Sequence, residues 1–284
     1  MAEVIPQEEL LKNYFVTSTL PTTWCPGCGC GIITQALVRA IHHAGLDKSN
    51  LAFVSGIGCS GFIPRYIDFD ELHATHGRAP TYATGLKLAR PDLNVILIQG
   101  DGDCFSIGGN HIIHAARRNI DLTTIVSNNY IYGRTGGQYS PTTPKGDLAT
   151  TAPYGLAEPA FNPCKLIEAA GASFVARGTV SNPLQLVTLI EKGIKHKGFS
   201  FIEIINPCPS NYGRRNPERM GATGAAMIKW LKGHTIPLAQ AKGMDSKELE
   251  DQIVTGILVE ADAPEYVEEY RKVRTKSQQG RGEM

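Results

Sequence analysis

Between Leu51 and Ile205, short apolar runs alternate with longer segments whose apolar positions recur every three or four residues. The runs Leu51–Ser55, Asn94–Gln99, Leu122–Ser127, Ser173–Arg177 and Phe199–Ile205 are nearly continuous in Val, Ile, Leu and Phe. Strands of a parallel sheet covered on both faces read this way, whereas one-sided sheets alternate strictly. Helices are expected in the gaps: from Pro80 to a stop at Pro91, from Ser106 to Arg118, and from Pro183 through Ile190 and Ile194. The pattern predicts an α/β fold built on a doubly wound, mostly parallel sheet. Ahead of it, Ile33, Leu37 and Ile41 at four-residue spacing predict a helix over Gly31–Gly45, with Gly45 as its stop. The chain thus divides into an N-terminal segment (1–50), an α/β domain (51–205) and a C-terminal extension (206–284). Helices near Pro217–Lys232 and Ser246–Asp251 and a disordered tail from Arg274 are expected in the extension.

Composition narrows the class. The 284 residues carry 28 Lys and Arg against 27 Asp and Glu, a net charge of +1, which offers no footprint for nucleic acid and no acidic tail. With 42% hydrophobic and 19% charged residues, disorder and collagen-like repeats are excluded. No apolar stretch approaches the roughly 20 residues of a membrane span, and Glu3, Glu8 and Glu9 do not suit a signal peptide. The seven cysteines are an odd count with Cys25, Cys28 and Cys30 crowded together, unlike a secreted disulfide framework, so a reduced, cytoplasmic protein is expected. Glycine is in surplus, 30 residues against a usual share of about 7%, so the backbone must often turn sharply or approach something closely.

One strand ends in Gly100-Asp101-Gly102-Asp103, and the next ends in Asn128-Asn129. One β-α-β crossover fills the interval, which brings both ends to the carboxyl edge of the sheet, where ligands bind in such folds. Oxygen ligands there suit Mg²⁺ bridging a diphosphate, with glycine amides free to meet phosphate oxygens. The plainer alternative makes both pieces strand-terminal turns. The spacing resembles the thiamine diphosphate signature. That resemblance assigns Mg²⁺ to Asp101, the Asn129 side chain and the main-chain oxygen of Ile131, and gives Gly102 and Asp103 contacts with the cofactor.

Cys25 and Cys28 have the Cys-x-x-Cys spacing that lets one turn grip a metal centre. Cys59 and Cys208 each follow a strand end, so four thiolates can gather beside the diphosphate site. Four cysteines hold either Zn²⁺ or a [4Fe–4S] cluster, and a thioredoxin-like pair with two plain buried thiols is the simpler reading. Cys104 and Cys164 read as structural, and Cys30 is close enough to compete as a ligand.

Taken together, Trp24-Cys-Pro-Gly-Cys-Gly29, Ile57-Gly-Cys-Ser60, His73-Ala-Thr-His76-Gly-Arg-Ala-Pro80, Ala83-Thr-Gly-Leu-Lys87, Gly100-Asp-Gly-Asp103, Asn128-Asn129, Tyr132-Gly-Arg-Thr-Gly-Gly-Gln138 and Ser140-Pro-Thr-Thr143 resemble the β subunit of the 2-oxoacid:ferredoxin oxidoreductases. The likeness spans roughly residues 20 to 270 and is greatest to the 2-oxoglutarate branch. It implies a thiamine diphosphate-binding fold with an N-terminal iron–sulfur segment, in which Cys25, Cys28, Cys59 and Cys208 carry one [4Fe–4S] cluster. It also implies that Ile57, Gly58, Cys59, Ser60, His76, Gly100, Asp101, Gly102, Asp103, Asn129, Tyr132, Gly133 and Thr135 bind thiamine diphosphate, with His76 catalytic, and that Asp101, Asn129 and Ile131 hold Mg²⁺. Two departures stand out: Cys30 occupies a variable position, and Gly136 lies where some relatives carry a Lys near substrate.

The implied activity is oxidative decarboxylation of a 2-oxoacid with coenzyme A to an acyl-CoA (succinyl-CoA from 2-oxoglutarate), electrons passing to ferredoxin, reversible in principle. Thiamine diphosphate chemistry needs a carboxylate at the cofactor's pyrimidine ring, normally from a second domain. With one sheet already committed to the diphosphate, a partner is expected, and the family supplies it as an α subunit in an (αβ)₂ assembly. The competing readings are a non-redox thiamine diphosphate decarboxylase or carboligase with structural zinc, a zinc-ribbon interaction module, and a pyruvate-type member of the same family.

Overall fold

The computed structural model describes residues 5–245, 247–249 and 251–280. Among the described residues ten strands form in chain order: β1 (Leu51–Ser55), β2 (Asp70–His73), β3 (Asn94–Gly100), β4 (Leu122–Asn128), β5 (Ile131–Tyr132), β6 (Gln138–Tyr139), β7 (Phe174–Thr179), β8 (Phe199–Ile205), β9 (Thr235–Pro237) and β10 (Ile253–Glu260). Eight of them make one sheet in the order β2-β1-β3-β4-β8-β7-β10-β9, while β5 and β6 pair as a separate hairpin. All pairings in the large sheet are parallel except β10 against β7. The doubly wound, mostly parallel sheet expected from the apolar runs is present, and all five expected strands lie in it.

Successive side chains of a strand face opposite sides, and β3 shows why its sequence lacks alternation. Ile96 and Ile98 join a core under the helices Cys30–Ala44 and Pro183–Lys195, while Val95 and Leu97 join a second core under Ala79–Ala89 and Gly109–Arg117. Both faces are dry, so both demand apolar residues. The helix Cys30–Ala44 ends as its sequence predicts, Gly45 adopting the left-handed backbone with φ 67°.

The extension differs from expectation. It adds the antiparallel strand β10 and its neighbour β9 to the sheet. The helical stretch expected near Pro217–Lys232 forms as two helices, Pro217–Met220 and Gly224–His234, separated where Gly221 takes φ 87° and Thr223 caps the second. Residues 247–249 and 251 are turns where a helix was expected; Ser246 and Glu250 lie outside the described residues. The tail expected to be disordered from Arg274 is instead helical through residue 280, as part of Tyr266–Gly280, and the remainder lies outside the described residues. Among the described residues no helix is long and apolar enough to cross a membrane.

Candidate active site

Loops leaving the carboxyl ends of β1, β3 and β4 meet over one cavity. Ile57 to Ser60 come from the first loop, Gly100 to Asp103 from the second, and Asn129 with Ile131 to Thr135 from the third; His76 joins them. The fold therefore brings together every residue assigned to the cofactor and Mg²⁺ and adds Ser127 and Arg134. One expectation shifts: helical geometry begins at Asp101 itself rather than at Ser106. It passes through a π-helical turn, Asp103–Ile107, before the helix Gly109–Arg117. The amides after Gly100 thus open a helix at the cavity, a favourable place for a phosphate.

Asp101 is buried, and its Oδ2 accepts hydrogen bonds from Ser140 Oγ at 2.5 Å and Thr142 Oγ1 at 2.7 Å. These side-chain partners are hydroxyls, not cations. Burial raises the Asp101 pKa above that of an ordinary aspartate, against the lowering pull of Ser140 and Thr142. A desolvated carboxylate with no counter-charge is what a bound divalent ion relieves. Nearby, Asn128 Oδ1 accepts from Tyr130 N at 3.1 Å and Asn129 Oδ1 from Ile131 N at 3.2 Å, while Tyr130 adopts φ 63°, uncommon for a residue with a side chain. This local fold sets Asp101, Asn129 and Ile131 around the cavity, residues that carry oxygen donors of the hard kind Mg²⁺ takes.

Gly102 shows the close approach that its surplus class requires. A Cβ there would stand 2.4 Å from the Tyr132 ring, whose hydroxyl donates to Gly102 O at 2.9 Å. Gly102→Ala is expected to push Tyr132 off this seat and weaken thiamine diphosphate binding by about 100-fold, read as the cofactor concentration that half-restores activity in a cofactor-stripped complex.

The cysteine loop is pinned from several directions. Trp24 Nε1 donates to Cys59 O at 2.8 Å, and its ring packs edge-on against Tyr66 at 4.8 Å. Gly27, at φ 80°, lies so close to Gly224 that a Cβ would stand 3.0 Å from its Cα. Cys59 and Cys208 approach each other over Gly133, where a Cβ would meet their sulfurs at 3.9 and 3.2 Å. Burial, then the neighbouring thiols Cys28 and Cys208, push the Cys59 pKa up to about 12, and burial also raises that of Cys208. Cys28 is lowered to about 7 by a hydrogen bond with the buried Cys30 thiol, which also receives Asn206 Nδ2 at 3.5 Å. Among the described residues no three His, Cys, Asp or Glu side chains converge tightly enough for a single metal ion.

Residues 56–204 match the family described as thiamine pyrophosphate enzyme, C-terminal TPP binding domain. Over 189 residues the chain is 47% identical to a 2-oxoacid:ferredoxin oxidoreductase subunit beta of Saccharolobus solfataricus, covering 66% of this chain and 62% of that one. Over 264 residues it is 50% identical to the 2-oxoglutarate synthase subunit KorB of Methanocaldococcus jannaschii, covering 93% of this chain and 97% of that one. The chain is a β subunit of the 2-oxoacid:ferredoxin oxidoreductase family. This β subunit also superposes, with TM-score 0.82 and 35% identity, on a structure of the 2-oxoglutarate:ferredoxin oxidoreductase from Magnetococcus marinus with 2-oxoglutarate, coenzyme A and succinyl-CoA bound. That match covers 94% of this chain and 90% of the other.

Sequence reasoning gave this β subunit's Ser140, Thr142 and Gln99 no role. Ser140 and Thr142 clamp Asp101, and Gln99 Nε2 donates to Asp103 Oδ2 at 2.6 Å. The Ser-Pro-Thr-Thr run was visible as a motif, but its target lies some forty positions upstream and becomes a neighbour only through the fold.

Proposed function

We propose that this β subunit, paired with an α subunit in an (αβ)₂ assembly in the cytoplasm, oxidatively decarboxylates 2-oxoglutarate in the presence of coenzyme A, yielding succinyl-CoA and reduced ferredoxin. The observation that carries the reading is the uncompensated Asp101 carboxylate facing the same cavity as Asn129 and Ile131, beside four thiols, in a chain half identical to a 2-oxoglutarate synthase subunit. Thiamine diphosphate supplies the electron sink that lets a 2-oxoacid lose CO₂. A [4Fe–4S] cluster on Cys25, Cys28, Cys59 and Cys208 supplies an outlet for single electrons.

The remaining work falls to the chain. Asp101, Asn129 and the Ile131 carbonyl hold Mg²⁺, and the glycine backbone of Gly100 to Gly102 lets the diphosphate approach. The Tyr132 ring and the Ile57 to Ser60 loop wall the cavity against water, and His76 offers a ring nitrogen to it. The carboxylate at the pyrimidine ring is assigned to the α subunit.

The test is coenzyme A-dependent reduction of a viologen dye by the anaerobically co-purified complex. Faster reduction with 2-oxoglutarate than with pyruvate is expected. A preference for pyruvate overturns the substrate, and a colourless, zinc-containing preparation overturns the redox chemistry.

A further inference from the structure

Asp103 stands two residues past Asp101 and lines the same cavity, yet both oxygens of its buried carboxylate are engaged by protein donors. Oδ1 accepts from Gly77 N at 2.8 Å and Ile57 N at 3.2 Å, and Oδ2 from Gln99 Nε2 at 2.6 Å. Gly56 makes room for it, since a Cβ there would stand 1.9 Å from Oδ2. A bond to each oxygen from a different segment leaves the side chain little capacity for a cofactor. Its remaining neighbour is His76, whose Nδ1 lies 2.7 Å from Oδ1. Nδ1 is sealed from solvent and has no other partner among the described residues. The His76 side chain is nevertheless 37% exposed, so its accessible edge is the one away from Nδ1, and that edge lines the cavity beside Tyr132, ring centres 6.0 Å apart.

A buried carboxylate repels a ring lone pair and attracts a ring N–H, so it selects the tautomer as well as the orientation. We propose that Asp103 is a positioning residue that fixes His76 as its Nδ1–H tautomer and thereby presents Nε2 to the cavity as a hydrogen-bond acceptor. Gln99, Gly77 and Ile57 hold the carboxylate in place for this purpose. The role given to Nε2 rests on the proposed function of the cavity; the tautomer does not.

The test labels the full chain with ¹⁵N-histidine and identifies the His76 signals by their loss in His76→Gln. The expected spectrum has a protonated Nδ1 and an unprotonated Nε2. Asp103→Asn, which can turn an amide N–H toward Nδ1, is expected to move the proton to Nε2, whereas Gln99→Leu, which removes only the donor to Oδ2, leaves it on Nδ1. A wild-type chain found as the Nε2–H tautomer overturns the proposal even if no variant folds. So does an unchanged tautomer in Asp103→Asn, or the same change in Gln99→Leu. In the co-purified complex Asp103→Asn is expected to lower dye reduction about 100-fold. Full activity in His76→Gln overturns the role of Nε2 alone, while absence of reaction in the wild-type complex overturns the proposed function instead.

Discussion

Replacing Asp101 by Asn is expected to abolish the stabilisation that Mg²⁺ and thiamine diphosphate give the α–β complex, without destabilising the cofactor-free chain. Asn retains an oxygen to accept from Ser140 and Thr142, so the hydroxyl clamp survives. What it removes is a buried charge that no side-chain cation among the described residues balances. A ligand at a hundred times its Kd stabilises by about 2.7 kcal/mol, or roughly 5–10 °C in melting temperature, and this shift should vanish in the variant. The pH dependence supplies the sign. Because burial raises the Asp101 pKa, the folded cofactor-free chain binds this proton more tightly than the unfolded chain. Its contribution is favourable below the unfolded pKa and is lost as pH rises through the raised value. Asp101→Asn should flatten that part of the cofactor-free melting curve against pH. Melting scans with and without Mg²⁺ and thiamine diphosphate, at several pH values, measure both effects, and a cofactor shift retained in Asp101→Asn would remove Asp101 from the Mg²⁺ site.

The second large effect is expected at the thiols. Cys59→Ser and Cys208→Ser should each give an anaerobically purified complex without the brown colour, depleted of iron and inactive in dye reduction. Cys30→Ser should keep both colour and iron. The contrast follows from placement: Cys59 and Cys208 converge over Gly133 from two different strand ends, whereas Cys30 is fully buried at the start of a helix and is engaged by Cys28 and Asn206. Iron analysis and the visible spectrum decide the matter. Loss of iron in Cys30→Ser with retention in Cys28→Ser would exchange the two as ligands.

The residues that line the cavity were unusually legible in the sequence because each sits in a short segment with its own local reason. Gly-Asp-Gly ends one strand and Asn-Asn ends the next, and a parallel crossover allows those ends only one shared edge. The five strands that organise this edge were legible too, since burial on both faces forces continuous apolar runs. The strands that were missed carry no such signal. β2 is exposed along its whole length, and β10 pairs antiparallel at the far side, where most of its residues are only partly buried.

The sequence by itself determined the fold class and the strand-end loops that meet at the cavity, because strand periodicity and residue type are local properties that survive without neighbours. Only the tertiary structure decided what surrounds each of the two carboxylates. Asp101 and Asp103 look alike two positions apart in one loop, yet helical geometry starting at Asp101 separates their environments. It leaves one among hydroxyls without a counter-charge and the other enclosed by the amides of Ile57 and Gly77, the Gln99 side chain and His76. Most of those partners are distant in the chain, and the energy that distinguishes the two environments comes from desolvation and contact, which exist only once the segments are packed.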